Sequence, residues 1–218
     1  MLDADETKHV ARVLRAKVGD CLALTDGVGR IYEGEIERLE KRTCVLKTRL
    51  IETQPAPSPA LTLVIAPTKS TDRFEWFLEK AMEMGVRTIQ PVWTERSERR
   101  IEKADRWRRV LISALKQSRQ AWLVDLRPAC SWESWIADAP SAGFIAHCEE
   151  GERRPLFQAV VPGQEAWIAI GPEGDFTPTE IQSAMDMGAE AVSLGENRLR
   201  TETAGLVAIQ TFLLAQAL

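Results

Sequence analysis

Two short segments in the last quarter of the chain combine glycines with charged side chains. The first, Gly171-Pro172-Glu173-Gly174, directly follows the apolar run AWIAI, and the second, LGENRLRTETA from Leu194 to Ala204, follows the run AVS. Glycine permits a positive φ and lets the backbone approach a flat ligand closely. In α/β folds, loops at the carboxyl ends of parallel strands bind ligands. The two segments therefore predict a ligand site, although a tight turn between a strand and a helix also requires such residues.

The second segment carries two arginines where a helix is expected to begin. Glu202 suits the positive end of the helix dipole, but Arg198 and Arg200 oppose it, so these arginines need another reason to be present. Binding of an anion or a nucleobase supplies one reason. The alternative is that the arginines pair with neighbouring acids such as Glu196 and Glu202.

Both segments belong to a part of the chain that alternates strands and helices. Short apolar runs, which are typical of parallel strands buried on both faces, are followed by amphipathic stretches. Pro178 after Thr177 favours a helix start, and Gly85 and Gly188 favour helix ends. The pattern predicts an α/β domain with a parallel sheet over residues 61–218. The runs concerned are LTLVIAP, RFEWFLEKAMEMG, TIQPVW, ADRWRRVLISALKQSRQ, AGFIAH, AWIAIG, TPTEIQSAMDMG, AEAVSLG and TETAGLVAIQTFLLAQAL.

The first quarter of the chain predicts a separate small domain. A helical segment from Asp3 to Arg15 is followed by three runs with strand character, over residues 21–26, 30–39 and 43–51. They indicate a small barrel or sheet within residues 1–53. Residues 54–60 (QPAPSPA) hold three prolines, which exclude a helix and predict a stiff linker between the domains.

Composition narrows the class of protein. A chain of 218 residues with 44% hydrophobic content can bury a real core. No apolar run approaches the roughly 20 residues that a membrane-spanning helix needs, and the N-terminus lacks a signal-peptide pattern, so we expect a cytoplasmic protein. The four cysteines are far apart with no CxxC pair, which favours reduced thiols and neither a metal site nor disulfides.

Charge is distributed unevenly along the chain. The net charge is −4, yet basic residues outnumber acidic ones thirteen to eight within residues 53–120, whereas acids dominate after residue 120. Seven basic residues lie between Arg96 and Arg109, a density that could contact several phosphates. The alternative is a solvated helix face on which the acids of the same segment balance these charges.

Five motifs, in this order, resemble those of the RsmE-type 16S ribosomal RNA uridine-N3 methyltransferases: HVARVLRAKVGD, KSTDRFEWFLEKAMEMG, KQSRQ, IGPEGDFTPTE and LGENRLRTETA. The resemblance covers nearly the whole chain. It implies a SPOUT trefoil-knot methyltransferase domain with S-adenosylmethionine in the knot loops, a PUA-like N-terminal barrel, and uridine 1498 of the small-subunit RNA as target. Asp175 departs from the family's GPEGG, and Asn197 stands where an arginine is common. The family also tends to begin with an extra strand before the position of Met1.

The resemblance implies three sets of site residues. Arg200 is expected to stabilise negative charge on the uracil oxygens, and Glu202 is the candidate base, with a first-turn acid favoured by the helix dipole as its alternative role. The expected cofactor-binding residues are His147, Ile170, Gly171, Pro172, Glu173, Gly174, Leu194, Gly195, Asn197, Leu199, Arg200, Thr203 and Ala204. The expected RNA-binding residues are of two kinds. Lys69, Arg73, Lys80 and Arg119 match family positions, whereas His9, Arg12 and Arg15 lie at spacings of three on the opening helix and are expected to form one basic face for phosphates, with a surface or capping role as the alternative for His9.

Tryptophans could stack on bases, but aromatic residues at helical spacing usually fill cores, and we predict that none of the following is a site: Trp76, Trp107, Trp122, Trp132 and Trp135.

The expected partners are small-subunit ribosomal RNA, within the assembled 30S particle, and a second copy of the chain. From Ala204 to Leu218 there is no charged residue, so a helix over Thr203–Leu218 must be covered nearly all round. We expect it at or beside a subunit interface, with burial inside one chain as the alternative. Two rival functions are a SPOUT enzyme acting on a transfer RNA ribose and a non-catalytic RNA-binding protein. A dinucleotide-dependent oxidoreductase is excluded because no GxGxxG turn is present.

Overall fold

The computed structural model describes residues 1–141 and 143–217. Contacts divide the chain into two compact units, the first over Met1–Ala56 and the second beginning at Pro57. Ala142 of the predicted strand AGFIAH and Leu218 of the predicted C-terminal helix lie outside the described residues.

The first unit contains one helix and an antiparallel sheet. The helix α1 (Ala4–Arg12) begins after Asp3, whose Oδ1 accepts the Glu6 N–H at 2.8 Å. It ends before the predicted Arg15, which has a left-handed φ of 53°, and Val13 and Leu14 after the helix are 66% and 52% exposed. The sheet has the order β1-β2-β3, and Val10, Ile36 and Cys44 form its core. Its strands are β1 (Cys21–Thr25), β2 (Arg30–Leu39) and β3 (Cys44–Thr53).

The second unit alternates strands and helices, as the sequence predicts. Helix ends follow the local signals: Gly85 ends the second helix with a φ of 80°, and Thr177 with Pro178 begins the sixth. The elements are β4 (Leu61–Ile65), α2 (Thr71–Met84), β5 (Thr88–Trp93), α3 (Ala104–Ser118), β6 (Asp125–Leu126), β7 (Cys130–Ser131), α4 (Trp132–Ala137), β8 (Gly143–Ala146), β9 (Arg154–Pro155), α5 (Leu156–Ala159), β10 (Ala166–Ile170), α6 (Pro178–Asp186), β11 (Glu190–Ser193) and α7 (Thr201–Gln216).

These strands form one parallel sheet with the order β6-β5-β4-β10-β8-β11-β9, and β7 pairs with β5. One core cluster contains the buried residues of α2, α3, α5 and α7, and a second contains those of α4 and α6. Apolar side chains on both faces of the central strands explain why these strands read as short apolar runs. Strands β10, β8 and β11 are neighbours, so their carboxyl ends lie together.

The last helix, α7, returns the chain from β11 to the centre of the sheet, where it packs on α2 and β4. Gly205 makes the close approach possible, because a Cβ at this position would lie 2.8 Å from the Phe77 ring and 3.0 Å from Ile65. Much of α7 is therefore buried within the chain itself. Leu214 on α7 is nevertheless 58% exposed, and Phe157 on α5 is 65% exposed.

Candidate functional site

A cavity of about 610 Å³ lies at the carboxyl ends of β8, β10 and β11. Its size is within the range of roughly 300–1,000 Å³ that is usual for ligand pockets. The loop after β10 begins with Gly171 and Pro172, and the loop after β11 runs from Leu194 to Arg200. The two glycine-containing segments singled out in the sequence therefore line one cavity.

Hydrogen bonds at the start of α6 fix the end of the loop that follows β10. Thr177 and Glu180 form a capping box in which Thr177 Oγ1 accepts the Glu180 N–H and Glu180 Oε2 accepts the Thr177 N–H. Glu180 Oε1 also accepts the Glu95 N–H at 2.8 Å. A Cβ on Gly171 would lie 3.1 Å from the ring and the backbone nitrogen of Phe176, a tight contact that would require Phe176 to shift by a few tenths of an ångström.

Asp175, the departure from the family's GPEGG, adopts a left-handed backbone with a φ of 63°. Glycine adopts this conformation freely, and aspartate is among the few other residues that tolerate it. The side chain also gains contacts that glycine lacks: Oδ2 accepts the Cys148 N–H at 2.7 Å and Oδ1 accepts the Phe176 N–H at 2.8 Å. Asp175 thus ties the loop after β10 to the loop after β8.

The loop after β11 leaves its backbone polar groups open. Gly195 has a φ of 117°, and from Gly195 to Leu199 the described structure gives no hydrogen bond to another protein group. A hydrogen bond connects the bases of the two loops: Thr201 Oγ1, at the start of α7, donates a buried hydrogen bond of 3.0 Å to the Gly171 carbonyl. The two loops are therefore joined at their bases and open toward the cavity.

His147 follows β8 and contributes a polar group to the cavity wall. Burial, and secondarily the nearby Arg153 guanidinium, lowers the pKa of His147, while Asp175 and Glu149 oppose the shift. Its Nδ1 is buried and has no hydrogen-bond partner in the described structure, and its carbonyl accepts a hydrogen bond from Arg153. A neutral imidazole with an unpaired nitrogen is thus available to a ligand.

Most of the predicted cofactor-binding residues line this cavity. Gly174 does not, because its backbone lies against Arg96, which donates to the Gly174 carbonyl at 2.9 Å. Thr203 lines a neighbouring cleft instead. The predicted residues on the cavity wall are His147, Ile170, Gly171, Pro172, Glu173, Leu194, Gly195, Asn197, Leu199, Arg200 and Ala204. Cys148, Arg153 and Asp175 also line the cavity without having been predicted to bind the cofactor, and of these only Asp175 carries a signal in the sequence, as a departure from the family motif. Thr201 lines it too and lies within the predicted segment from Leu194 to Ala204.

The neighbouring cleft, of about 380 Å³, lies between the starts of α2 and α7 and contains both predicted catalytic residues. Arg200 lines the cleft and the larger cavity alike. The Glu202 side chain is only 9% exposed; its Oε1 lies 3.8 Å from Arg73 Nε, and its Oε2 has no partner. In the described residues Arg198 and Arg200 form no salt bridge, so the alternative in which they pair with Glu196 and Glu202 is wrong. Asp72, Trp76 and Thr203 complete the cleft.

Trp76 departs from the expectation that the tryptophans fill cores. Its side chain lies on α2 within the cleft and is 46% exposed. Trp107, Trp132 and Trp135 are buried as expected, and the Trp122 ring is covered by the Arg87 guanidinium at 4.9 Å.

The predicted RNA-binding residues differ in their positions and in their ion-pair partners. In the first unit, Arg12 belongs to the last turn of α1, but Arg15 lies beyond the helix with a φ of 53°, so the predicted single basic helix face over His9, Arg12 and Arg15 is wrong. In the second unit, Lys80 pairs with Glu79 and Glu83.

Lys69 is exposed but pairs with Glu98, and Arg73 lies in the cleft. Arg119 is exposed in the left-handed cap of α3.

The basic segment between Arg96 and Arg109 is partly structural. Arg96 donates to the carbonyls of Gly174 and Phe176, Arg100 donates to that of Thr94, and Arg106 pairs with Glu75. Arg99, Arg108 and Arg109 are exposed, and none forms an ion pair with another described residue. These three arginines remain available to phosphates.

Two features are absent from the part of the chain that the structure describes. No group of three or more His, Cys, Asp or Glu residues is arranged to hold a metal ion. No helix among them has the length and apolar character needed to cross a membrane.

Comparison with known proteins relates this architecture to RNA-modifying enzymes. Residues 54–213 match the family model of the RNA methyltransferase domain, and residues 2–48 match that of the RNA methyltransferase PUA domain. The ribosomal RNA small subunit methyltransferase E of Mycobacterium bovis is 32% identical over 223 residues, covering 96% of this chain and 84% of the relative.

Two crystal structures extend the comparison to the fold. A probable rRNA-methyltransferase from Porphyromonas gingivalis is 43% identical, with a TM-score of 0.93 over 99% of this chain and 93% of that chain. A ribosomal RNA small subunit methyltransferase E from Neisseria gonorrhoeae, bound to S-adenosyl methionine, is 30% identical, with a TM-score of 0.81 over 98% of this chain and 90% of that chain.

Proposed function

This chain belongs to the family of ribosomal RNA small subunit methyltransferase E, and from that premise we propose that it methylates N3 of a uridine in small-subunit ribosomal RNA. It is an S-adenosylmethionine-dependent RNA methyltransferase with an N-terminal PUA domain. The observation that supports the proposal most strongly is the cavity at the ends of β8, β10 and β11, whose two loops are joined by the Thr201–Gly171 hydrogen bond.

The residues of the cavity fit S-adenosylmethionine. Ile170, Leu194 and Ala204 supply apolar walls, and the unpaired backbone groups between Gly195 and Leu199 supply donors and acceptors for a flat heterocycle. The unpaired, buried Nδ1 of His147 is a further polar group without a protein partner. We assign the binding of the cofactor to the cavity-lining residues named above. When bound, the cofactor supplies an electrophilic methyl group.

Methylation at N3 sets two requirements for the protein. The ring nitrogen must lose its proton. The base must also be unpaired and turned out of its stack, because N3 lies on the pairing edge. Arg200, unpaired at the rim of the cavity, can stabilise negative charge on the uracil oxygens. Glu202, the buried carboxylate of the second cleft, can accept the proton.

We extend the proposal to the partners. The natural substrate is the assembled 30S particle, because an acidic protein with a net charge of −4 and a few free arginines offers limited surface for naked RNA. An enzyme with this substrate works in the cytoplasm. The chain acts as a homodimer, and the exposed apolar side chains of Phe157, Val161 and Leu214, beside and on α7, support an interface there.

Mass mapping of small-subunit RNA tests the target. Cells that lack the protein should lose one N3-methyluridine, and the purified protein should restore it with S-adenosylmethionine on 30S particles faster than on protein-free RNA. Restoration of a ribose methyl group instead would refute the N3 assignment. Calorimetry with S-adenosylmethionine tests the cavity, and light scattering at low micromolar concentration tests the dimer, which an active monomer would contradict.

A further inference from the structure

We propose that the cleft between the starts of α2 and α7 is the pocket for the target base. In it, Trp76 is the stacking surface, Glu202 accepts the N3 proton, and Arg73 and Arg200 bind the two carbonyl oxygens of uracil. This inference rests on the proposed function and adds the residues that recognise the base, including two that carry no such role in the sequence analysis, Arg73 and Trp76.

The cleft lies directly beside the cavity that fits the cofactor. Arg200 lines both this cleft and the cavity that fits the cofactor, so one side chain borders both compartments. Glu202 and Thr203, in the first turn of α7, line the cleft, whereas Ala204 lines the cavity. A base held in the cleft therefore meets a methyl donor across the start of a single helix.

The burial of the Glu202 carboxylate without a full set of partners points to a ligand. A first-turn acid that only complements the helix dipole can stay in water, but this side chain is 9% exposed. Its single charged neighbour is Arg73, at 3.8 Å from Oε1, and Oε2 is buried without a partner. Buried polar groups are almost always hydrogen-bonded, and the exceptions call for a function. A donor from outside the protein would satisfy the carboxylate.

The charges in the cleft match one nucleobase. The pairing edge of uracil presents an acceptor, a donor and an acceptor, namely O4, N3–H and O2. The cleft offers complementary groups, a carboxylate acceptor from Glu202 and guanidinium donors from Arg73 and Arg200. Cytosine lacks the N3 proton and guanine presents two adjacent donors, so both leave groups in the cleft unpaired.

The same contacts perform the proton transfer. The N3 proton passes to the Glu202 carboxylate while N3 keeps the electron pair of the broken N–H bond. N3 then bonds to the methyl carbon as the bond from that carbon to sulfur breaks, with its electron pair remaining on sulfur. Arg73 and Arg200 stabilise the negative charge that develops on O2 and O4 before the new bond forms.

Trp76 supplies the remaining element of a base pocket, an open aromatic face. It follows Arg73 by three residues on α2, so the two side chains lie on one side of the helix. With 46% of its surface exposed, it is the open tryptophan of the second unit, in contrast to the buried Trp107, Trp132 and Trp135. Stacking on an aromatic ring would hold a base that has left its helix.

Substitutions at three residues test the pocket with S-adenosylmethionine and 30S particles that lack the modification. Glu202→Gln keeps the shape but cannot accept a proton, so turnover should fall about 100-fold or more while cofactor affinity is retained. Trp76→Ala should lower kcat/KM about 5- to 100-fold, mainly through KM, and Trp76→Phe should recover most of the loss. Arg73→Ala should lower turnover, and Arg73→Lys should restore it in part.

Matched controls separate these effects from general surface changes. Glu133 is an exposed first-turn acid of α4, and Arg127 is a surface arginine paired with Asp125. Glu133→Gln and Arg127→Ala should leave kcat and KM within about two-fold.

A direct binding measurement uses uridine 5′-monophosphate and cytidine 5′-monophosphate as probes in saturation-transfer NMR of the cofactor-loaded enzyme. The uridine nucleotide should bind more strongly than the cytidine nucleotide; Glu202→Gln should reduce this difference, whereas Trp76→Ala should weaken the binding of both nucleotides.

The outcomes distinguish the pocket from the function on which it rests. If the wild-type protein methylates another position, the proposed function fails. If the wild type forms N3-methyluridine but Glu202→Gln and Trp76→Ala keep their kcat/KM, the pocket is refuted. If Trp76→Ala loses activity together with the dimer in light scattering, Trp76 is an interface residue, and its assignment to the pocket is overturned.

Discussion

Replacement of Asp175 tests how the loops of the cofactor cavity are held together. The residue has a φ of 63°, and its carboxylate accepts the backbone N–H groups of Cys148 and Phe176 at 2.7 and 2.8 Å. Alanine removes the carboxylate and keeps a Cβ in the left-handed conformation, whereas glycine removes the carboxylate and accepts that conformation freely. Asparagine keeps an oxygen and tolerates the backbone. The three variants therefore separate the hydrogen bonds from the backbone conformation.

The magnitudes follow from these contacts. A hydrogen bond to a charged group contributes about 1.5–3 kcal/mol, and the lower end applies here because Cys148 is exposed and water can replace the lost partner. A left-handed backbone costs an ordinary residue about 1–2 kcal/mol. Asp175→Ala should thus lower the free energy of unfolding by about 2–4 kcal/mol, and Asp175→Gly by about 1 kcal/mol less than alanine does. Asp175→Asn should fall closest to the wild type.

Denaturant unfolding measures the stability of each variant, and calorimetry measures its affinity for S-adenosylmethionine. Because Asp175 joins the loops after β8 and β10, both of which line the cavity, affinity should decrease in the same order as stability, from asparagine through glycine to alanine. Equal stabilities for the alanine and glycine variants would refute the backbone argument. Wild-type affinity in all three would refute the idea that this tie positions the cavity.

Three further substitutions probe the same region. Thr201→Val leaves the buried Gly171 carbonyl unpaired and should lower the free energy of unfolding by about 1–3 kcal/mol and weaken cofactor binding, while the exposed Thr179→Val should change neither. The lowered pKa of His147 means that folding resists its protonation, so its contribution to stability is fully present above pH of about 6.5 and is lost as the pH falls below it. His147→Gln should flatten this part of the unfolding free energy against pH, and an unchanged profile would contradict the assignment. Arg200→Ala should lower turnover about 100-fold with cofactor affinity within a few-fold, and equal losses in both would make Arg200 a binding residue.

The sequence predicts what local chemistry determines. The capping pair Thr177 and Pro178 begins α6 where expected, Gly85 ends α2, and the short apolar runs become buried parallel strands. The two glycine segments end up on one cavity because parallel strands place their carboxyl ends at the same edge. None of these predictions needs knowledge of the tertiary contacts, since each depends on the residue itself or on its immediate neighbours.

The sequence does not predict what packing between distant elements determines. Glu202 and an ordinary first-turn acid look alike until α7 is seated on α2, which buries the carboxylate beside Arg73. Trp76 follows a helical spacing that is typical of a core residue, yet it faces an open cleft. Arg96 lies in a segment rich in basic residues but donates to backbone carbonyls of the loop after β10. In each case the partner is far away in sequence.

Two buried polar atoms near the start of α7 and the end of β8 have no hydrogen-bond partner in the described structure, which favours a role in ligand binding for both. Each buried, unpaired polar group destabilises the folded state by about 1–3 kcal/mol, a large part of the roughly 5–15 kcal/mol that stabilises a domain. Two of the buried polar atoms without a hydrogen-bond partner in the described residues lie here: Nδ1 of His147, a residue that lines the cavity after β8, β10 and β11, and Oε2 of Glu202, a residue that lines the cleft between α2 and α7. The compartments are positioned by different parts of the core: neighbouring strands set the cavity, and the close packing of Gly205 on Phe77 sets the cleft. Arg200 borders both, so in the proposed arrangement the start of α7 aligns the methyl donor with the base.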